Sequence, residues 1–249
     1  MLSRRIFQFL IVYLAGVGIL FAIKISMGLS DYVIPGPADI WIAVEAVFIR
    51  YIKDVLNTFS VAVVGQALSI FLALVVGIIG RQATWFGAMI KVAAYNVQAY
   101  PIVAIAPILF ILLGDGVFTR LVIAAMICYF PLLLSVIGIM SEPVADIEHF
   151  YRVTGRLRWQ LEVKIRAFEN LNKLTTVISG SATLAMAGAI VSEFIAADAG
   201  IGYSIRVALY QSDLSKILVA LFIIGITLSL YQGLLELLGA GLKKVWTTN

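Results

Sequence analysis

Residues able to carry out covalent chemistry are few in this sequence, and their spacing suits none of the common mechanisms. It contains one histidine, His149, and one cysteine, Cys128, the latter inside an apolar run. Disulfide frameworks and His/Cys metal clusters are therefore excluded. Nucleotide hydrolysis needs a Gly-x-x-x-x-Gly-Lys-Ser/Thr loop to cradle phosphates. The nearest approach, Gly239-Ala240-Gly241-Leu242-Lys243-Lys244, lacks that spacing. No catalytic residue, metal ligand or cofactor site is expected on this chain. What remains is a handful of polar groups set into apolar sequence. Glu193 admits two readings: a costly intramembrane carboxylate marking a solute pathway, or a helix-end acid bonded to the loop at 200–202. Gln66, Asn96, Gln98 and Tyr100 are expected on a pathway, and Glu236 is expected to reach the interface.

The elements that must position these groups follow from composition. Of 249 residues, 62% are hydrophobic and 13% charged, against roughly 45–50% and 25% in soluble domains. Mean hydropathy is +1.03. A soluble enzyme is excluded, as is a large extramembrane domain; the composition is that of an all-α, polytopic membrane bundle. Apolar runs at 6–27, 58–80, 85–114, 117–140, 174–197 and 214–242 predict about six spans. Between the first two lies a mixed segment, 28–57, with Pro35, Pro37 and a short amphipathic stretch around 40–52. The third run is broken by Tyr95-Asn96-Val97-Gln98-Ala99-Tyr100-Pro101, which reads equally as an interfacial connection or as irregular backbone against a wet pathway. Ser181, Ala185 and Ala189 recur every fourth residue and suit close helix packing.

Six spans place both termini on one side. That side then carries Arg4, Arg5, Arg81, Lys243, Lys244 and six cations of the loop at 141–173, eleven in all, against five on the other. The excess marks the eleven-cation face as cytoplasmic. It also explains the net charge of +4 without any nucleic-acid partner.

The loop at 141–173 holds eleven of the 32 charged residues. Ile147, Phe150, Tyr151 and Thr154 recur at helical spacing, Gly155 interrupts, and Trp159, Leu161, Val163 and Ile165 supply a second apolar set. Two short amphipathic helices joined at a glycine suit docking into a partner's groove. The run Asp146-Ile147-Glu148-His149-Phe150-Tyr151-Arg152-Val153-Thr154-Gly155, followed by Arg158-Trp159-Gln160-Leu161 and Ile165, resembles the cytoplasmic EAA loop of binding-protein-dependent ABC transporter permeases. The nitrate, sulfonate and taurine branch is the most similar. Val33-Ile34-Pro35-Gly36-Pro37, Tyr100-Pro101 through Ala106-Pro107, Val191-Ser192-Glu193-Phe194 and Gly200-Ile201-Gly202-Tyr203 resemble further family elements in the family's order. Two departures stand out: His149-Phe150-Tyr151 replaces Glu-Ala-Ala, and Ala167-Phe168 replaces Leu-Pro.

The resemblance implies an N-terminal transmembrane helix at 1–32 and a permease domain at 33–249, multi-pass in a bacterial inner membrane with cytoplasmic termini. It implies a second permease chain, two cytoplasmic ATPases that bind ATP and Mg, and an external solute-binding protein. Coupling to the ATPase would fall to Glu148, His149, Arg152, Gly155, Arg158, Trp159 and Ile165. The arginines serve equally as contacts to anionic membrane lipid. The implied solute is a small anion, or a thiamine- or riboflavin-precursor. A secondary transporter, a channel or a non-transporting scaffold are the alternatives. The first would want several midplane carboxylates or an inverted repeat, and neither is evident beyond Glu193.

Overall fold

The computed structural model describes residues 2–81, 85–142 and 159–248, together with 144, 149 and 153. The described residues form helices and connecting turns, with no strand. In order these are α1 (Leu2–Met27), α2 (Pro37–Gly80), α3 (Trp85–Ala99), α4 (Ile102–Leu113), α5 (Val117–Ser141), α6 (Trp159–Glu169), α7 (Leu171–Ala196), α8 (Ile201–Tyr210) and α9 (Leu214–Thr248). Of these, α1, α2, α5, α7 and α9 are long and apolar enough to cross a membrane.

α2 departs from the sequence expectation. The amphipathic stretch at 40–52 is not a separate element but the first part of a single 44-residue helix. Pro37 opens it with a preset φ, and the Gly36 N–H donates to Asp39 Oδ2 at 2.8 Å. No further proline occurs before Gly80, so nothing stops the helix where the apolar run begins. At 1.5 Å per residue it extends about 66 Å, roughly twice the hydrocarbon thickness.

α3 and α4 are bent by 89° at Tyr100–Pro101. Proline lacks an N–H and disfavours helical backbone in the residue before it, which places the break here. The ends of the bundle show what this pair does. Arg81, after α2, meets Glu162 of α6, whereas Arg120, in the first turn of α5, meets Glu193 near the end of α7. The α3–α4 pair therefore carries the chain from one end of the bundle to the other, as the sixth crossing. Arg5 of α1 pairs with Glu236 of α9, which brings both chain ends to the Arg81 end.

The core is built on α5, which packs against α2 and α7. Ala124, Cys128, Leu132 and Val136 of α5 are buried beside Ala62 and Ala73 of α2 and Ala185 and Ala189 of α7. Small residues let the backbones close: a Cβ at Gly188 would lie 2.8 Å from the Ala124 Cα. α1 stands at the periphery with no buried residue. It is held to α9 by Tyr13, whose hydroxyl donates to the Leu218 carbonyl at 3.1 Å, and by a Phe9–Tyr13–Phe222 ring cluster.

Candidate functional site

Three places in the bundle hold the polar groups. The first is a buried clasp at the end opposite the termini, where α2, α5, α7 and α8 meet. α8 begins at Gly200, whose φ of +97° disfavours any side chain and whose Cβ would strike the Glu193 carboxylate. Gly200 has no side chain to cap the helix, so other helices do it. The Ile201 N–H donates to Thr58 Oγ1 of α2 at 2.9 Å, and the Gly202 N–H to Glu193 Oε2 of α7 at 3.0 Å. These are two of the four N–H groups that a helix start leaves open. In return Arg206 of α8 donates to the Phe194, Ile195 and Ala197 carbonyls that close α7. The two helices thus cap one another across the turn.

Glu193 is fully buried. Thr58 Oγ1 lies 2.6 Å from its Oε2, and Arg120 Nη1 lies 3.3 Å from its Oε1. Arg120, 5% exposed, also donates to the Ala199 carbonyl and to Asn57 Oδ1. Ser204 donates to Asp54 Oδ2 at 2.6 Å. The clasp joins three long helices and one short one through charge-assisted bonds, which are the stronger kind. Of its members only Glu193 stood out in the sequence. Arg120, Thr58, Asn57, Asp54 and Ser204 did not, because their partners lie 63 to 150 positions away.

The second place is an open recess of about 310 Å³ where the α3–α4 break faces α5 and α7. Gln98, Tyr100 and Pro101 form one wall, Ile127, Phe130 and Pro131 of α5 another, and Leu184 of α7 a third. Among the described residues no charged side chain lines it. Of the sequence-named pathway residues, only Gln98 and Tyr100 meet here. Asn96 is exposed on α3. Gln66 is fully buried in the core, and its Nε2 donates to the Ile178 carbonyl at 2.8 Å and to Ser181 Oγ at 2.9 Å, tying α2 to α7. Gln66 Oε1 has no hydrogen-bond partner among the described residues. Gln66→Leu is therefore expected to cost less than about 2 kcal/mol, since two bonds are lost and one orphan acceptor is removed. A detergent-unfolding midpoint checks this.

The third place is α6. Its inner side is bound to the bundle: Arg81 Nη1 donates to Glu162 Oε1 at 2.7 Å and Arg166 Nε to the same oxygen at 3.0 Å. Arg166 also reaches the Glu142 carbonyl, and Lys173 reaches the Glu142 carboxylate. Val163 and Ala167 pack on the core, and Ile165 is half-buried. The outer side presents Trp159, 58% exposed, with Leu161 and Lys164. His149 is exposed as well. Glu148, Arg152, Gly155 and Arg158 lie outside the described residues.

Burial alone would raise the Glu162 carboxyl, but the hydrogen bonds and charges of Arg81 and Arg166 outweigh it and hold the group below its ordinary value. A lowered folded-state pKa means the Glu162 links stabilise the protein above the unfolded value of about 4.3 and weaken as pH falls through the folded one. α6 is expected to resist proteolysis at neutral pH and to loosen as pH falls below the unfolded value. Glu162→Gln should loosen it at neutral pH and flatten that dependence. Limited proteolysis across pH reads both.

The profile of the family described as binding-protein-dependent transport system inner membrane component matches residues 68–244. The chain belongs to this family. The permease is 38% identical over 143 residues to the riboflavin transport system permease protein RibX of Chloroflexus aurantiacus, covering 56% of this chain and 53% of that protein. The match thus spans about half the length of that relative. It is 23% identical over 205 residues to the formylaminopyrimidine transport permease protein ThiX of Halalkalibacterium halodurans, with 79% of each chain covered. A probable ABC transporter permease protein of Haemophilus influenzae is 26% identical over 208 residues, with 80% and 82% covered. Membership makes this chain a multi-pass membrane component of a transport system, not an enzyme.

Proposed function

We propose that the chain is the permease subunit of an ATP-driven importer for an uncharged, flat heteroaromatic solute of the vitamin-precursor class. The observation that carries the solute class is the 38% identity to a riboflavin permease. The recess supports it: Tyr100 and Phe130 offer aromatic faces and Gln98 an amide, with no charged side chain among the described residues of the lining. An anion of the nitrate or sulfonate kind would want a cation there, so the heteroaromatic reading is the better supported.

In this reading a second copy of the permease completes the pathway against the recess, and an external binding protein delivers solute to the clasp end. Two ATPase subunits, binding ATP and Mg, dock on α6 and on the segment before it. Coupling to the motor is assigned to Glu148, His149, Arg152, Gly155, Arg158 and Ile165, and Trp159 fills a groove on it. ATP-driven approach of the motors draws the α6 helices together. The Arg81–Glu162–Arg166 contacts pass that motion to α2 and α5, and access switches from one side to the other. The inside-positive charge excess supports a cytoplasmic side for the termini and α6.

Co-expression with the ATPase and binding protein of the same system tests this. The permease should co-purify with the ATPase, and riboflavin-loaded binding protein should stimulate hydrolysis above the unloaded protein. Equal stimulation by both would remove the solute class, and failure to co-purify would remove the coupling role. Tyr100→Ala and Gln98→Ala should each lower flux while leaving assembly intact. Unchanged flux in both would detach the recess from the pathway.

A further inference from the structure

At the end of the bundle that holds both termini, α1, α7 and α9 border an open cavity of about 500 Å³. Arg4, Arg5 and Gln8 of α1 face Asn172, Thr175 and Thr176 of α7, and Glu236, Gly239 and Ala240 of α9 complete it. The charges do not cancel. Arg5 is committed to Glu236 and to Gln232 Oε1, which neutralises the one acid that the described residues place in the lining. Arg4 is exposed and has no ion-pair partner among the described residues. The cavity therefore carries one uncommitted guanidinium, with the Gln8 and Asn172 amides as further donors. Such a set recognises a phosphate oxygen.

The depth of the cavity decides where that phosphate comes from. Arg4 and Arg5 stand where the apolar run of α1 begins, and Glu236 stands about two turns before Lys243 and Lys244. This is the polar–apolar boundary of the bundle. Below it apolar side chains are left uncovered: Phe7, Ile11 and Leu14 on α1 and Leu234 on α9 are all at least 52% exposed. A free phosphate ion has no use for that surface, whereas a phospholipid places its phosphate at the boundary and its acyl chains beside it. Basic pockets between membrane helices take anionic headgroups in this way.

We infer that the cavity between α1, α7 and α9 is a binding site for an anionic phospholipid, its phosphate held by Arg4 with Gln8 and Asn172 and its chains laid along α1 and α9. A lipid there also fills the gap beneath α1, a helix with no buried residue, and fastens it to α7.

Native mass spectrometry of the full chain tests this, with phosphatidylglycerol, phosphatidylcholine and inorganic phosphate as probes. The expected result is a retained phosphatidylglycerol adduct and a much weaker phosphatidylcholine one. Arg4→Gln should weaken retention about fivefold, the effect of one basic residue at an anionic surface. Lys53→Gln, the same charge change at the other end, should leave it unchanged. Asn172→Leu should weaken retention too, and it guards against a variant that fails to insert. Equal retention of both lipids, displacement by millimolar phosphate, or equal loss in Lys53→Gln would each overturn the assignment.

Discussion

Arg120→Leu is expected to destabilise the protein by about 3–5 kcal/mol, the cost of leaving a buried partner charge uncompensated. The change strands the Glu193 carboxylate, which is fully buried and within 3.3 Å of the guanidinium. It also leaves the Asn57 and Ala199 oxygens without their donor. Glu193→Leu should be comparably damaging for a second reason, since Glu193 caps the N-terminus of α8 through Gly202. The double variant should recover part of the loss but not all of it. Removing both charges relieves the desolvation problem, while the α8 N–H group stays uncapped. Thermal unfolding in detergent gives the cycle. An Arg120→Leu protein that melts with the parent would mean that the clasp is already hydrated and holds little.

The second large effect comes from two glycines of one helix. Gly188→Ala on α7 drives a methyl to 2.8 Å from the Ala124 Cα and 3.3 Å from the Ile127 Cβ. The first of these is backbone and cannot rotate away, so α5 and α7 must separate, at about 1–3 kcal/mol. A Cβ at Gly180, two turns earlier, meets nothing within 4 Å. There alanine should be neutral or should gain up to about 1 kcal/mol from helix propensity. Opposite signs at two positions on one helix discriminate packing from propensity. Two alanines that behave alike would remove close α5–α7 contact from the account.

The sequence made the bundle legible because a membrane leaves few options. Long apolar runs must be helices, and their count, the proline-marked break and the charge excess at one end all follow from composition. The boundary of α2 was not legible. An amphipathic stretch followed by an apolar run reads as two elements, and only the absence of a breaker after Pro37 hints that they are one. Glu193 stood out because a carboxylate in an apolar run is conspicuous. Arg120 did not, since an arginine at a helix start reads as a solvated end, and its pairing depends on how α5 meets α7. Gln66 shows the converse: an amide in a span looks like a pathway group, yet three-dimensional packing makes it a tie between α2 and α7. Arg81 was counted as a loop cation, although it is held against Glu162 under α6.

The central claim is that solute crosses through this chain by energy delivered at α6. The most direct test is uptake of labelled riboflavin into proteoliposomes holding the permease, its ATPase and loaded binding protein. The account predicts accumulation that requires ATP on the α6 side and falls at least tenfold in Gly155→Trp, with membrane insertion unchanged. Accumulation independent of ATP, or full accumulation in that variant with normally stimulated hydrolysis, would contradict it.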